Sequence, residues 1–246
     1  MPALLEARDV RKQYGGVAAL AGVSLQVAEG EILGVLGPNG SGKTTLFNVI
    51  SGFTPPTGGS VTFLGHPIGG KRPRAIVRYG LTRSFQEAMC FKSFTVRESL
   101  ALVPRIRRPA GGTTGSTGAS PIDRDAALRI CGLEEVADLP SGDLPYGTQR
   151  KLGVALVLAT GPRLLLLDEP GAGLGDDETE DLAAVIGSLP SYGISVMCID
   201  HNLPFLLPIA HRIVVLDAGV QIYDGSPEDV AKSEAVVTAY LGSNHE

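Results

Sequence analysis

Apolar and β-branched residues gather in short runs bounded by turn-forming residues, over positions 4–10, 23–27, 32–36, 61–64, 81–85, 164–167, 194–199, 213–216 and 220–223. Runs of this length and composition predict strands. Between several of them the pattern predicts helices, over 43–50, 149–158, 177–189 and 227–230. Such alternation predicts an α/β core around a largely parallel sheet. The first strands, with short turns at Gly15 and Gly16 and at Glu29 and Gly30, read as antiparallel. From about residue 87 to 160 strand signals thin out, and 96–103, 123–132 and 149–158 predict helices around the Gly/Ser/Thr-rich loop RRPAGGTTGSTGASP. The chain therefore divides into a core of 1–86 and 161–246 and a helical subdomain of 87–160 inserted into it.

At 246 residues the chain is long enough for one large domain with such an insertion. No apolar run reaches the roughly 18–20 residues needed to span a bilayer. The start, MPALLEARDV, lacks the basic and apolar regions of a secretory signal. Cys90, Cys131 and Cys198 lie far apart and in no CxxC pair, which reads as reduced, buried thiols. A net charge of −5 argues against a surface built for nucleic acid, so none is expected as a partner. Charge is nevertheless uneven: residues 71–108 hold ten basic side chains against two acids.

Two motifs carry chemistry. Gly37-Pro38-Asn39-Gly40-Ser41-Gly42-Lys43-Thr44 follows a predicted strand and opens a predicted helix, the context in which G-x-x-x-x-G-K-[ST] cradles phosphates. The glycines let backbone N–H groups converge, the helix adds its positive end, Lys43 reaches the β and γ oxygens, and Thr44, followed by Thr45, is placed to ligate Mg²⁺. The second motif is Leu164-Leu165-Leu166-Leu167-Asp168-Glu169-Pro170, a buried parallel strand ending in two acids, where α/β sheets form their ligand crevice. Asp168 is the expected metal ligand, and Glu169 is placed to orient or deprotonate an attacking water. The motifs stand about 120 residues apart and no N-K-x-D motif is present, which favours ATP over GTP.

With these motifs in this order, the chain resembles the nucleotide-binding subunits of ATP-binding-cassette (ABC) transporters over essentially its whole length. The resemblance implies a P-loop NTPase (RecA-like) core with an antiparallel β edge and an inserted helical subdomain. It also assigns roles that spacing alone does not. Tyr14 in RKQYGG matches the aromatic that stacks on adenine. Gln86 in TRSFQ matches the glutamine that touches Mg²⁺ and water, and His201 in CIDHN the histidine that contacts the γ-phosphate. Leu144-Pro145-Tyr146-Gly147-Thr148-Gln149 stands at the signature motif, through which Pro145, Tyr146, Gly147 and Thr148 would meet a nucleotide held by a second subunit.

TRSFQ, the LPYG form of the signature, and the ending AYLG are similar to the ATPases of bacterial branched-chain (hydrophobic) amino-acid importers. That likeness implies membrane permease subunits, a second ATP-binding subunit, an indirectly linked periplasmic solute-binding protein, and a peripheral place at the cytoplasmic face of the inner membrane. Urea/amide importers, a lipopolysaccharide exporter and, in another class, nucleic-acid-associated ABC ATPases share parts of the pattern. The chain departs from the family where Pro145 replaces the usual Ser, and where Gly153 and Leu156 stand for a frequent Glu and Arg. For the basic stretch two readings stand: a solvated face, or a docking surface for a membrane subunit. In the second, Met89, Phe91 and Phe94 form an apolar floor flanked by Lys92 and Arg97, with Arg78 and Arg83 nearby.

Overall fold

A computed structural model describes residues 3–84, 91–103 and 122–242. The strands are β1 (Ala3–Tyr14), β2 (Val17–Ala28), β3 (Ile32–Leu36), β4 (Gly58–Phe63), β5 (His66–Pro67), β6 (Leu81–Arg83), β7 (Leu164–Asp168), β8 (Ser195–Ile199), β9 (Arg212–Asp217) and β10 (Val220–Gly225). They form an antiparallel sheet of order β2-β1-β4-β5 and a six-stranded sheet of order β10-β9-β3-β8-β7-β6. In the larger sheet all neighbours pair in parallel except β10, which runs antiparallel to β9.

The turn at Gly15 and Gly16 makes β1 and β2 a hairpin, as expected. The turn at Glu29 and Gly30 does not make a second one. It carries the chain from one sheet into the other, where β3 pairs in parallel with β8 and β9. Burial accounts for the difference. β2 alternates between buried and exposed positions along much of its length, whereas β3 is buried at all five, and a strand without a polar face needs cover on both sides.

That cover comes from two apolar layers. Ile32 and Leu36 of β3, Leu165 and Leu167 of β7, and Val196 and Cys198 of β8 face one layer. Leu33 and Val35, Leu164 and Leu166, and Met197 and Ile199 face the other. Helix α1 (Lys43–Ile50) lies in the second layer, between the two sheets, through Leu46, Phe47, Val49 and Ile50. Past α2 (Pro73–Val77), helices α3 (Val96–Leu102), α4 (Arg124–Ile130), α5 (Tyr146–Leu158) and α6 (Asp176–Ser188) pack in the first layer. Local chemistry starts α3 and α4: Thr95 and Glu98 form a reciprocal capping box, and Asp123 accepts from the Ala126 amide at 2.7 Å.

α7 (Leu203–Leu206) and α8 (Glu234–Gly242) complete the fold. The helix expected over 227–230 is instead a 3₁₀ turn at Val230–Lys232, and the true helix is α8. Its apolar run, EAVVTAYLG, shows too little polar spacing to read as amphipathic. Among the described residues no helix is long and apolar enough to cross a membrane. Cys131 and Cys198 are buried free thiols, and burial pushes the first up to about 12 and the second well above its usual value. Cys90 and the Gly/Ser/Thr-rich loop lie outside the described residues.

Candidate functional site

β3 runs into residues 37–42, which turn over the C-terminal end of the sheet before α1 begins at Lys43. Gly37, Gly40 and Gly42 have φ of 147°, 79° and 103°, a region that glycine alone enters freely. Space forbids a side chain as firmly as torsion does. A Cβ on Gly37 would lie 2.1 Å from the Leu216 carbonyl, and one on Gly42 would lie 2.6 Å from that of Ala19. The loop is thus wedged between β9 and the β1–β2 hairpin that carries Tyr14. Asn39 and Gly40 are exposed at its crest, whereas Ser41 is buried and its carbonyl accepts from the Gly219 amide at 3.0 Å.

Lys43, only 7% exposed, donates to the carbonyls of Gly37 at 2.6 Å and Pro38 at 2.9 Å. Burial lowers its pKa, and the nearby carboxylates of Glu169 and Asp168 act against that shift. A buried cation, converging amides and a helix N-terminus make a receptor for a multiply charged anion. Thr44 is exposed at the first turn of α1, with Thr45 half-buried beside it.

Asp168 ends β7 opposite Ile199 in the parallel register. Glu169 follows with φ of 47°, a left-handed conformation that non-glycine residues seldom adopt and that costs on the order of 1–3 kcal/mol. A backbone bond holds it there, its amide donating to the Ile199 carbonyl at 2.8 Å; its Oε1 lies 3.7 Å from Nδ1 of His201. Behind them Asp200, fully buried, accepts from the Gly171 amide at 3.2 Å and the Asn202 amide at 2.9 Å. Burial raises the Asp200 pKa while the two amides oppose the rise. One side chain therefore fastens the turn after Glu169 to the turn carrying His201.

The signature residues start α5, with Pro145 at its N-cap. Here the chain ties the helix start to the 172–175 turn. Tyr146 donates its hydroxyl to the Ala172 carbonyl at 3.2 Å, and Arg150 donates to both Tyr146 Oη and Ala172 O. Glu178 accepts from the Gly147 amide at 3.0 Å and the Gly175 amide at 3.2 Å. Pro145 and Tyr146 face outward, Thr148 is half-buried and Gly147 is buried.

Lys43, Thr44, Asp168, Glu169 and His201 all lie at the C-terminal ends of β3, β7 and β8. Tyr14 stands at the end of β1, half-exposed, with Lys12 Nζ 4.9 Å from its ring centroid. Gln86 lies outside the described residues. Sequence reasoning missed four contributors: Arg83, Asp200, Glu178 and Tyr240. Arg83, expected near the docking surface, instead has a side chain only 8% exposed that bonds Asp168 at 2.5 Å. Tyr240 of α8 accepts from the Gly37 amide at 3.0 Å across 203 residues of chain. The ending AYLG and the acid in CIDHN were the available signals.

The family described as ABC transporter matches residues 20–172. The high-affinity branched-chain amino acid transport ATP-binding protein BraF of Pseudomonas aeruginosa is 38% identical over 97% of this chain and 98% of its own length. The ADP conformation of an ATP-binding cassette of an ABC transporter superposes with a TM-score of 0.86 at 29% identity, covering 98% of this chain and all of that one. A dimeric bacterial ABC transporter cassette matches at a TM-score of 0.72 and 25% identity, over 91% of this chain and 98% of its own.

Proposed function

The chain belongs to the ABC transporter family and is an ATP-binding ATPase of that kind; from this premise we propose that it powers uptake of branched-chain or other hydrophobic amino acids. The solute class is supported by the likeness to BraF across nearly the full length of both chains. The observation that carries the mechanism is that the buried cation Lys43 and the strained acid Glu169 lie at the same end of one sheet, close enough for the Glu169 carboxylate to favour the charge on Lys43. In this reading residues 37–45 bind the phosphates, with Lys43 neutralising charge in the ground state. Tyr14 stacks on the adenine. Glu169 takes the proton of the attacking water, and His201, within reach of Glu169, contacts the γ-phosphate.

Thr44 and Asp168 offer a hydroxyl and a carboxylate oxygen, hard donors that suit Mg²⁺, with Gln86 as a further ligand. When bound, Mg²⁺ offsets charge on the β and γ oxygens. The outward-facing Pro145 and Tyr146, with Gly147 and Thr148 beside them, would close over a nucleotide held by a second subunit. A dimeric cassette among the structural relatives supports that arrangement. Pro145 has no N–H and no hydroxyl, and the Gly147 amide is given to Glu178, so closure would rest on the amides of Tyr146 and Thr148. We place the subunit against membrane permeases at the cytoplasmic face of the inner membrane, with a periplasmic binding protein supplying solute. The core is 1–86 with 161–246, and 87–160 is the subdomain that meets its partners.

The test is uptake of labelled leucine by the chain reconstituted with its membrane subunits, beside Glu169→Gln. We expect ATP-dependent uptake that the variant loses while it still binds ATP. Uptake of urea in place of leucine would move the solute assignment to the neighbouring importers.

A further inference from the structure

Thr44 and Asp168 come from different elements, α1 and β7, and one side chain bonds to both elements. Arg83, at the end of β6, donates through Nη2 to Asp168 Oδ2 at 2.5 Å and through Nη1 to Asn48 Oδ1 at 2.6 Å, with Ser51 Oγ at 3.4 Å. Asn48 lies one helical turn beyond Thr44 and Ser51 nearly two, so the three fall on one stripe of α1. The Arg83 and Asp168 side chains are only 8% and 13% exposed. Phe47 and Phe53 flank the guanidinium, with ring centroids at 5.7 and 5.8 Å. A planar fork shared between a carboxylate and an amide fixes direction as well as distance, which the single ammonium of a lysine does not.

We propose that Arg83 is a positioning residue for the metal: it holds Asp168 by one oxygen and α1 by Asn48, and so sets the spacing of Asp168 from Thr44. The inference rests on the assignment of Asp168 and Thr44 as metal ligands. It gives a buried cation a purpose beside a site meant for another cation. As a bare charge Arg83 would repel Mg²⁺, so its retention there needs a geometric return. Partners that orient a metal ligand in this way typically change metal affinity by about 10–100-fold when removed.

The experiment reads affinity for a fluorescent ATP analogue in excess Mg²⁺ and in EDTA, in the Glu169→Gln background so that turnover does not interfere. The ratio of the two affinities measures what the metal adds. Arg83→Gln should reduce that ratio about tenfold or more with EDTA affinity nearly unchanged. Arg83→Lys should fail to restore it, and Asn48→Ala, which spares the buried ion pair, should reduce it by a smaller factor. A merely structural arginine would lower the melting temperature and leave the ratio alone. An unchanged or increased ratio in Arg83→Gln overturns the proposal, as does full rescue by lysine. If Arg83→Gln does not fold, an unchanged ratio in Asn48→Ala overturns it. Asp168→Asn separates the two levels: if it leaves the ratio intact, the ligand assignment has failed, not only the role of Arg83.

Discussion

Two helices present their N-termini at positions the sequence motifs mark for phosphate, and the chain builds them in opposite ways. α1 starts after a glycine in the left-handed region, and its first residue, Lys43, is 7% exposed. Its loop is flanked by its own chain, through Leu216, Ala19, Gly219 and Tyr240, and opens at the crest of Asn39 and Gly40. α5 starts after a proline, and its first residue, Tyr146, is 47% exposed. Behind it, Tyr146 bonds the Ala172 carbonyl and Glu178 accepts from the Gly147 amide. Under the proposed reading, the helix finished within the chain would serve its own nucleotide, and the one with an open front would meet a nucleotide held by a second subunit. The same contrast holds between Asp200, fully buried, and its neighbour His201, whose side chain is 64% exposed.

The contrast breaks first, and most heavily, at Glu169. Replacement by Gln should lower ATP turnover by about 10²–10⁴-fold, the range for loss of a positioned general base, while ATP affinity stays within a few-fold. Phosphate release by the purified subunit reads the first quantity and nucleotide titration the second. Turnover within a few-fold of wild type would take the base elsewhere. Next in size is Lys43→Ala, which removes a charged donor from a finished site and should weaken ATP binding by about 100-fold, near 3 kcal/mol. Binding at wild-type strength would mean that the amides of 37–42 suffice.

At the open site the expected effects are smaller. Glu178 accepts from two amides, one of the signature and one of the 172–175 turn, and glutamine offers only one acceptor oxygen. Leaving the part-buried Gly147 amide short of its partner costs about 1–3 kcal/mol, or a few degrees of melting temperature in a chain of this size, whereas the exposed Gly175 amide can turn to water. Glu178→Gln should therefore weaken ATP-driven dimerisation, read by sedimentation in the Glu169→Gln background, and leave ATP binding by the single subunit untouched. Equal loss in both measurements would erase the distinction between the two helices.

What the sequence made legible follows the same division. The phosphate loop was readable because its backbone dictates residue type at each place: Gly37 and Gly42 have no room for a Cβ. The strand Leu164–Asp168 was readable because burial on both faces leaves nothing polar until its end. Arg83 was misjudged because a count of basic residues says nothing of burial, and its acid lies 85 positions away. Arg97, grouped with it, is exposed as expected yet already paired with Asp138 at 2.9 Å. Tyr240 closes on Gly37 from a helix whose apolar run carried no period to announce it. Long-range polar contacts leave no local mark, whereas backbone constraints do.

The smallest effect on nucleotide chemistry belongs to the surface farthest from it in kind. Phe91 and Phe94 are 45% and 39% exposed and meet edge to face at 5.9 Å. Met89, the third member of the expected floor, lies outside the described residues. With Arg83 buried and Arg97 paired, the other two basic residues expected there, Lys92 and Arg78, are both exposed. Exposed aromatics cost solubility on an isolated surface and return it at an interface. The backbone also links this surface to the signature: the Ser141 amide donates to the Phe94 carbonyl at 2.8 Å and the Gly142 amide to that of Lys92 at 3.2 Å, just ahead of Leu144 and Pro145. A membrane segment seated on 91–94 would therefore press on the start of α5. Phe91→Ala with Lys92→Glu should abolish co-purification with the membrane subunits and lower transport in proportion. ATP affinity of the soluble subunit should stay within about twofold, since nothing finished within the chain is touched. Co-purification at wild-type yield would return the basic stretch to a solvated face and leave α5 open for a second subunit alone.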